Sequence, residues 1–137
     1  MYLLDTNVIS ELRRARPHGG VLAWLDRQHD RDLFLSAVSF GEIQAGIEIT
    51  REQDSARAVE LEAWAGQIIG DWKILPMDTV TFRIWAKLMH RRSDALIADA
   101  MIAATALQHQ LIVVTRDVRD FRHFDVEVVN PFTVSRD

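Results

Sequence analysis

The chain has 137 residues, 48% of them apolar and 26% charged, with a net charge of −4. That length and balance fit one globular domain, 1–137, built on a single core. They exclude a broad basic surface for non-specific duplex binding, and the lack of cysteine excludes disulfides, thiolate metal sites and cysteine nucleophiles.

No basic segment followed by a long apolar run opens the chain, and no stretch approaches the ~18 apolar residues of a membrane span. A cytoplasmic protein is the expectation. The elements then follow in order. Tyr2–Asp5 reads as a short buried strand and Thr6–Arg14 as a helix with Val8, Ile9 and Leu12 on one face. Pro17-His18-Gly19-Gly20 is a break, and Val21–Gln28 a second helix. Leu33–Ala37 reads as a strand, Ser39–Thr50 as a helix, and Asp54–Ile69 as a longer helix carrying Ala58, Leu61, Ala65 and Ile68 in one stripe. Lys73–Leu75 is a short strand stopped by Pro76. Asp78 caps a helix to Arg91, and a largely apolar helix runs from Asp94 or Ala95 to His109. Leu111–Thr115 and Val126–Val129 are the last strands. Short apolar strands separated by helices predict parallel βαβ units, with a sheet covered on both faces.

Four acids stand where their neighbours make a charge unexpected: Asp5, Glu42, Asp99 and Asp117. Asp5 ends an apolar strand, and Asp117 follows another. In open α/β sheets, ligand sites lie beyond the C-terminal strand ends, which is a reason to place these two together. Each acid also has a plain structural role open to it. Asp5 can cap the next helix. Glu42 closes Ser39-Phe40-Gly41-Glu42, the spacing of a capping box. Asp99 interrupts an apolar helix, so it requires a donor, an arginine or a metal. Asp117 and Asp120 can both serve as turn or cap residues, and spacing does not separate them. Gathered together, the four acids suit a divalent cation, and Thr6, Asn7 and Thr115 add further oxygens and donors beside them.

Other features carry less. The five histidines show no i, i+4 pair, and there is no phosphate-binding glycine loop. The four tryptophans fall at core positions. Arg91-Arg92 reads as a solvated helix end.

The segments Met1–Leu12, Ser39–Ile43 with Gly46-Ile47, Asp99–Ala106 and Val114–Phe121 together resemble the PIN-domain ribonucleases. They are most similar to the toxins of VapBC-type toxin–antitoxin pairs, in the FitB-like branch. The resemblance spans the chain, with its segments in order and at the family's usual intervals. It implies a PIN-like αβα sandwich with a short, mostly parallel central sheet of 4–5 strands. It implies a Mg²⁺- or Mn²⁺-dependent endoribonuclease acting on single-stranded or looped RNA, tRNA included. It further implies a homodimer inhibited by a cognate antitoxin of the VapB type. Asp5, Glu42 and Asp99 match the family's first three acids. In this branch the last motif often reads Thr-Arg-Asn; here it is Thr115-Arg116-Asp117, with Asp120 competing for the fourth place. Thr6, Asn7, Thr115 and Arg116 are then expected to position the acids or the RNA. Among other enzymes, a phospho-acceptor receiver requires a late lysine that is absent beyond Lys87. A haloacid-dehalogenase-like phosphatase requires an acid where Asn7 stands. The alternative of a different class is a catalytically silent PIN module that binds RNA or a protein.

Overall fold

Five short runs of large aliphatic residues become strands in the computed structural model, which describes residues 1–133. They are β1 (Tyr2–Leu4), β2 (Leu33–Ser36), β3 (Ile74–Leu75), β4 (Ile112–Val114) and β5 (Val128–Val129). Every pairing is parallel, and the order across the sheet is β3-β2-β1-β4-β5. β1 therefore lies at the centre, with Leu4 in register with Leu35 on one side and Val114 on the other.

Alternation along these strands builds two cores. Leu4, Leu35 and Val114 pack with Val8, Ile9, Val21 and Trp24 from α1 (Thr6–Glu11) and α2 (Gly19–Asp26). On the other face, Leu3 and Val113 pack with Ala100, Ile102, Ala103 and Ala106 of α6 (Ile97–His109) and with Phe121 of α7 (Val118–Phe121). The helix pair α3 (Ala37–Gln53) and α4 (Ser55–Asp71) adds a smaller cluster of Ile47, Ala58 and Ala65. α5 (Thr79–Met89) pairs with α6. The result is the expected αβα sandwich, with five strands in its sheet. Trp24 is buried, and Trp64, Trp72 and Trp85 pack partly buried against the cores, as expected of them.

Several boundaries differ from the sequence reading, each for a local reason. α1 stops at Glu11 rather than Arg14. The Glu11 carboxylate turns to accept the His18 N–H at 2.9 Å, and Arg13 to Arg16 are exposed with no apolar face to bury. α2 starts two residues early because His18 Nδ1 accepts the Gly20 N–H at 3.0 Å and caps it. α3 also starts early. Ser36, not Ser39, is its cap, accepting the Val38 N–H at 3.1 Å. The capping box expected from Ser39 and Glu42 is therefore not formed, because both residues lie inside the helix. A capping box does form at α5, between Asp78 and Thr81. The apolar helix opens as a 3₁₀ turn, Asp94–Leu96, and only then becomes α6. The four-residue α7 was not anticipated.

Candidate active site

The strand order reverses at β1. The chain runs from β1 outward to β2 and β3, then returns to place β4 on the opposite side. The crevice beyond the C-terminal ends of β1 and β4 is thus a topological switch point, where α/β sheets open a site. Asp5 sits at its floor, only 4% exposed. Its N–H still bonds Val114 O at 2.9 Å, so the sheet fixes its backbone. Asp5 Oδ1 accepts the Thr6 N–H at 2.7 Å and caps α1. Oδ2 accepts Thr115 Oγ1–H at 2.8 Å and the Asn7 amide at 3.2 Å. The capping role is therefore real and occupies one carboxylate oxygen, while the other faces the β4 side.

Asn7 ties the two strand ends together. Its Nδ2 lies 3.3 Å from both Thr115 Oγ1 and Asp117 Oδ2, and its Oδ1 accepts the Arg116 N–H at 3.2 Å. Thr115, fully buried, accepts the Asp117 N–H at 2.9 Å and so aims the start of the β4–α7 loop. Asp117 precedes α7 but makes no side-chain cap bond to it.

The third wall is α3. Thr6 Oγ1 lies 2.9 Å from Ser39 Oγ and 2.7 Å from Glu42 Oε1. An ionised carboxylate only accepts, so the Thr6 proton goes to Glu42 and the buried Ser39 hydroxyl donates to Thr6. Freed from the helix cap, Glu42 is held at the rim of the crevice by a threonine of α1. Ser39 is the site residue that sequence reasoning did not single out. The signal was present, since i and i+3 on a helix share a face, but the same spacing also marks a capping box.

The fourth wall is the first turn of α6, where Asp99 is half-buried. Among the described residues no basic side chain pairs with it. Burial and then the charges of Asp5, Asp120, Asp117 and Glu42 push its pKa up to about 7. The helix N-terminus offers a favourable field for its charge. Asp5 is pushed up to about 6, chiefly by burial, despite the hydrogen bonds from Thr115 and Thr6 that favour its charged form. Asp117 and Asp120 need not compete for one role. Asp117 acts on both Asp5 and Asp99, and Asp120 acts on Asp99.

The four expected acids and Asp120 thus surround one crevice, and they repel one another. Such an arrangement of hard oxygen donors suits a hard cation. Among the described residues, no three acidic or histidine groups stand close enough to hold an ion directly. A hard cation in this crevice would meet the acids largely through its own waters, as Mg²⁺ usually does. A cavity of about 300 Å³ adjoins the crevice at Thr6 and Glu42, bordered by Ser10, Arg13, Gly46 and Trp64.

The PIN domain family model matches residues 2–127. This chain belongs to the PIN-domain family. Its PIN fold is 38% identical to the VapC ribonuclease Y4jK of Sinorhizobium fredii, over 96% of this chain and 98% of that one. It is 36% identical to the toxin FitB of Neisseria gonorrhoeae, over 96% and 99%. Superposed on the crystal structure of FitAcB from Neisseria gonorrhoeae it gives a TM-score of 0.71 at 36% identity, covering 98% of this chain and 100% of the other. The segments that carried the family resemblance are those that build the crevice of this PIN domain: the β1–α1 turn, the start of α3, the start of α6 and the β4–α7 loop. No helix among the described residues is long and apolar enough to cross a membrane.

Proposed function

We propose that this PIN-domain protein is an endoribonuclease toxin of a type II toxin–antitoxin pair, dependent on Mg²⁺ or Mn²⁺. The observation that carries the reading is the ring of Asp5, Glu42, Asp99, Asp117 and Asp120, none of them ion-paired to a basic side chain among the described residues, with two members pushed up to about 6 and 7. Mutual repulsion of that kind is costly to a fold and is characteristic of functional sites. Relatives named as a VapC ribonuclease and as a toxin support the same conclusion.

Asp5 and Asp99 would be the principal holders of the ion, with Glu42, Asp117 and Asp120 completing the acidic crevice. When bound, the ion supplies Lewis acidity to the scissile phosphate and lowers the pKa of an attacking water. The protein groups do the rest. Asn7 and Thr115 lock Asp5 in one orientation, so its carboxylate is placed before substrate arrives. Thr6 does the same for Glu42. Asp99, in the first turn of α6, faces the same acids across the crevice and is placed to hold the ion or its waters. Arg116, exposed beside the crevice, is placed to meet the phosphate backbone.

Single-stranded or looped RNA, including the loops of tRNA, is the substrate class, because a strand with splayed bases can bend its phosphates into a narrow crevice. The reading carries with it a cytoplasmic setting, a homodimer, and a VapB-type antitoxin that silences the enzyme. The test is cleavage of RNA oligonucleotides in Mg²⁺ by the wild type and by Asp5→Asn and Asp99→Asn. Both variants are expected to lose cleavage, on the order of 100-fold. Undiminished cutting by both would overturn the assignment. A wild type that binds RNA or a protein partner but neither cuts nor takes up Mg²⁺ would instead be a silent PIN module.

A further inference from the structure

Arg116 lies between Thr115 and Asp117, in a crevice rimmed by five carboxylates, yet among the described residues it forms no ion pair with any of them. Left to itself, a flexible guanidinium in that position would fold onto the acids and neutralise them. Its guanidinium carbon is instead held 3.8 Å from the centroid of the Phe132 ring. Phe132 comes from the far end of the described chain, in the 3₁₀ turn Pro131–Thr133 that follows β5.

That ring is itself well seated. Asn130 Oδ1 accepts the Phe132 N–H at 3.0 Å, and the Asn130 carbonyl accepts Thr133 Oγ1–H at 2.9 Å. Pro131 is buried. The His18 ring meets Phe132 in an edge-type contact, with centroids 5.0 Å apart at an interplanar angle of 60°. His18 is fixed in turn, its N–H given to the buried Glu11 and its Nδ1 accepting from Gly20. A chain of contacts, His18–Phe132–Arg116, therefore runs to the lip of the acid crevice. The Arg116 backbone N–H is pinned to Asn7 at the same place.

We propose that Phe132, backed by His18, is a positioning residue that holds the Arg116 guanidinium off the carboxylates and presents it to an RNA phosphate flanking the scissile one. This rests on the ribonuclease reading. A ring engages the face of a guanidinium and leaves its edge N–H groups free for bidentate contact with phosphate oxygens. The contact belongs to substrate binding rather than to the chemical step, so its loss acts on KM.

The experiment measures KM and kcat for a short single-stranded RNA in Mg²⁺ with the wild type, Phe132→Leu, Phe132→Tyr, Arg116→Ala and the Leu–Ala double variant. Phe132→Leu keeps apolar volume and removes the ring; KM is expected to rise about two- to fivefold, with a smaller change in kcat. Phe132→Tyr restores the wild-type KM. Arg116→Ala, which leaves the core untouched, raises KM by at least as much, and adding Phe132→Leu to it raises KM no further. A wild-type KM in either Phe132→Leu or Arg116→Ala overturns the proposal. So does an undiminished effect of Phe132→Leu in the Arg116→Ala background, which marks a packing role alone. A wild type that fails to cut RNA would bring down the ribonuclease reading, and this proposal with it.

Discussion

Asp99 carries the least compensated charge in the crevice. It is half-buried, and Asp5, Asp120, Asp117 and Glu42 all press on it while no basic group among the described residues answers. Its folded pKa of about 7 stands above its ordinary 3.8. For an acid raised in this way, the folded state holds a proton that the unfolded chain has already lost. Stability therefore falls as pH rises from 3.8 through about 7, and the penalty is complete above that. Asp99→Asn removes the penalty and keeps the shape. The variant is expected to be more stable than wild type at pH 8 by about 1–2 kcal/mol, a figure reduced for the group's partial exposure, and unchanged at pH 3.5. Melting curves at the two pH values check it. A variant less stable than wild type at pH 8 would show that Asp99 has a cationic partner in solution. The need for a partner at Asp99 was legible from its apolar neighbours. That its neighbours would be other acids came from the family resemblance and not from local pattern, because each comes from a different part of the chain.

At the scale of elements, the start of α3 decides what Glu42 can do. Ser36-Ala37-Val38-Ser39 offers two capping serines three residues apart, and local rules favour the second because Glu42 follows it at capping-box spacing. The sheet chooses the first. Ser36 is the last residue of β2 paired to β3, opposite Leu75, so the chain leaves the sheet there and turns into the helix at once. That choice sends Ser39 inward to Thr6 and releases Glu42 to the crevice. Ser36→Ala is expected to cost about 1 kcal/mol of stability, as lost caps do. Ser39→Ala should cost less stability, since it leaves the cap intact, and should lower RNA cleavage several-fold by loosening Thr6 and Glu42. Denaturant melts and cleavage rates on the two variants check the order. The reverse order would restore the Ser39 capping box. The same logic explains what else was legible. Strands and long helices announce themselves by apolar period, whereas their ends depend on which strand lies alongside. α7, at four residues, is too short to show a period at all.

For the whole molecule, alternation of strands and helices sufficed to foresee a parallel sheet with helices on both faces. The position of β1 between β2 and β4 was beyond local pattern, and it is this order that turns scattered acids into one crevice. The crevice is consequently a standing cost of the fold, and under the proposed function a divalent ion offsets it. Protons and the proposed ion would compete for the same carboxylates, with Asp5 and Asp99 half charged at about 6 and about 7. Mg²⁺ is therefore expected to raise the melting temperature strongly at pH 8 and weakly at pH 5. At a concentration of 100 Kd the gain at the higher pH is about 2.7 kcal/mol. In Asp5→Asn combined with Asp99→Asn most of that gain disappears. Mg²⁺ titrations followed by thermal melting at both pH values, each matched by NaCl at equal ionic strength, read the effect directly. Screening alone would stabilise the repelling acids equally with either salt. Only a site that binds the ion gives a gain specific to Mg²⁺ that vanishes with the two aspartates, and equal gains from the two salts would remove the metal from the proposed chemistry.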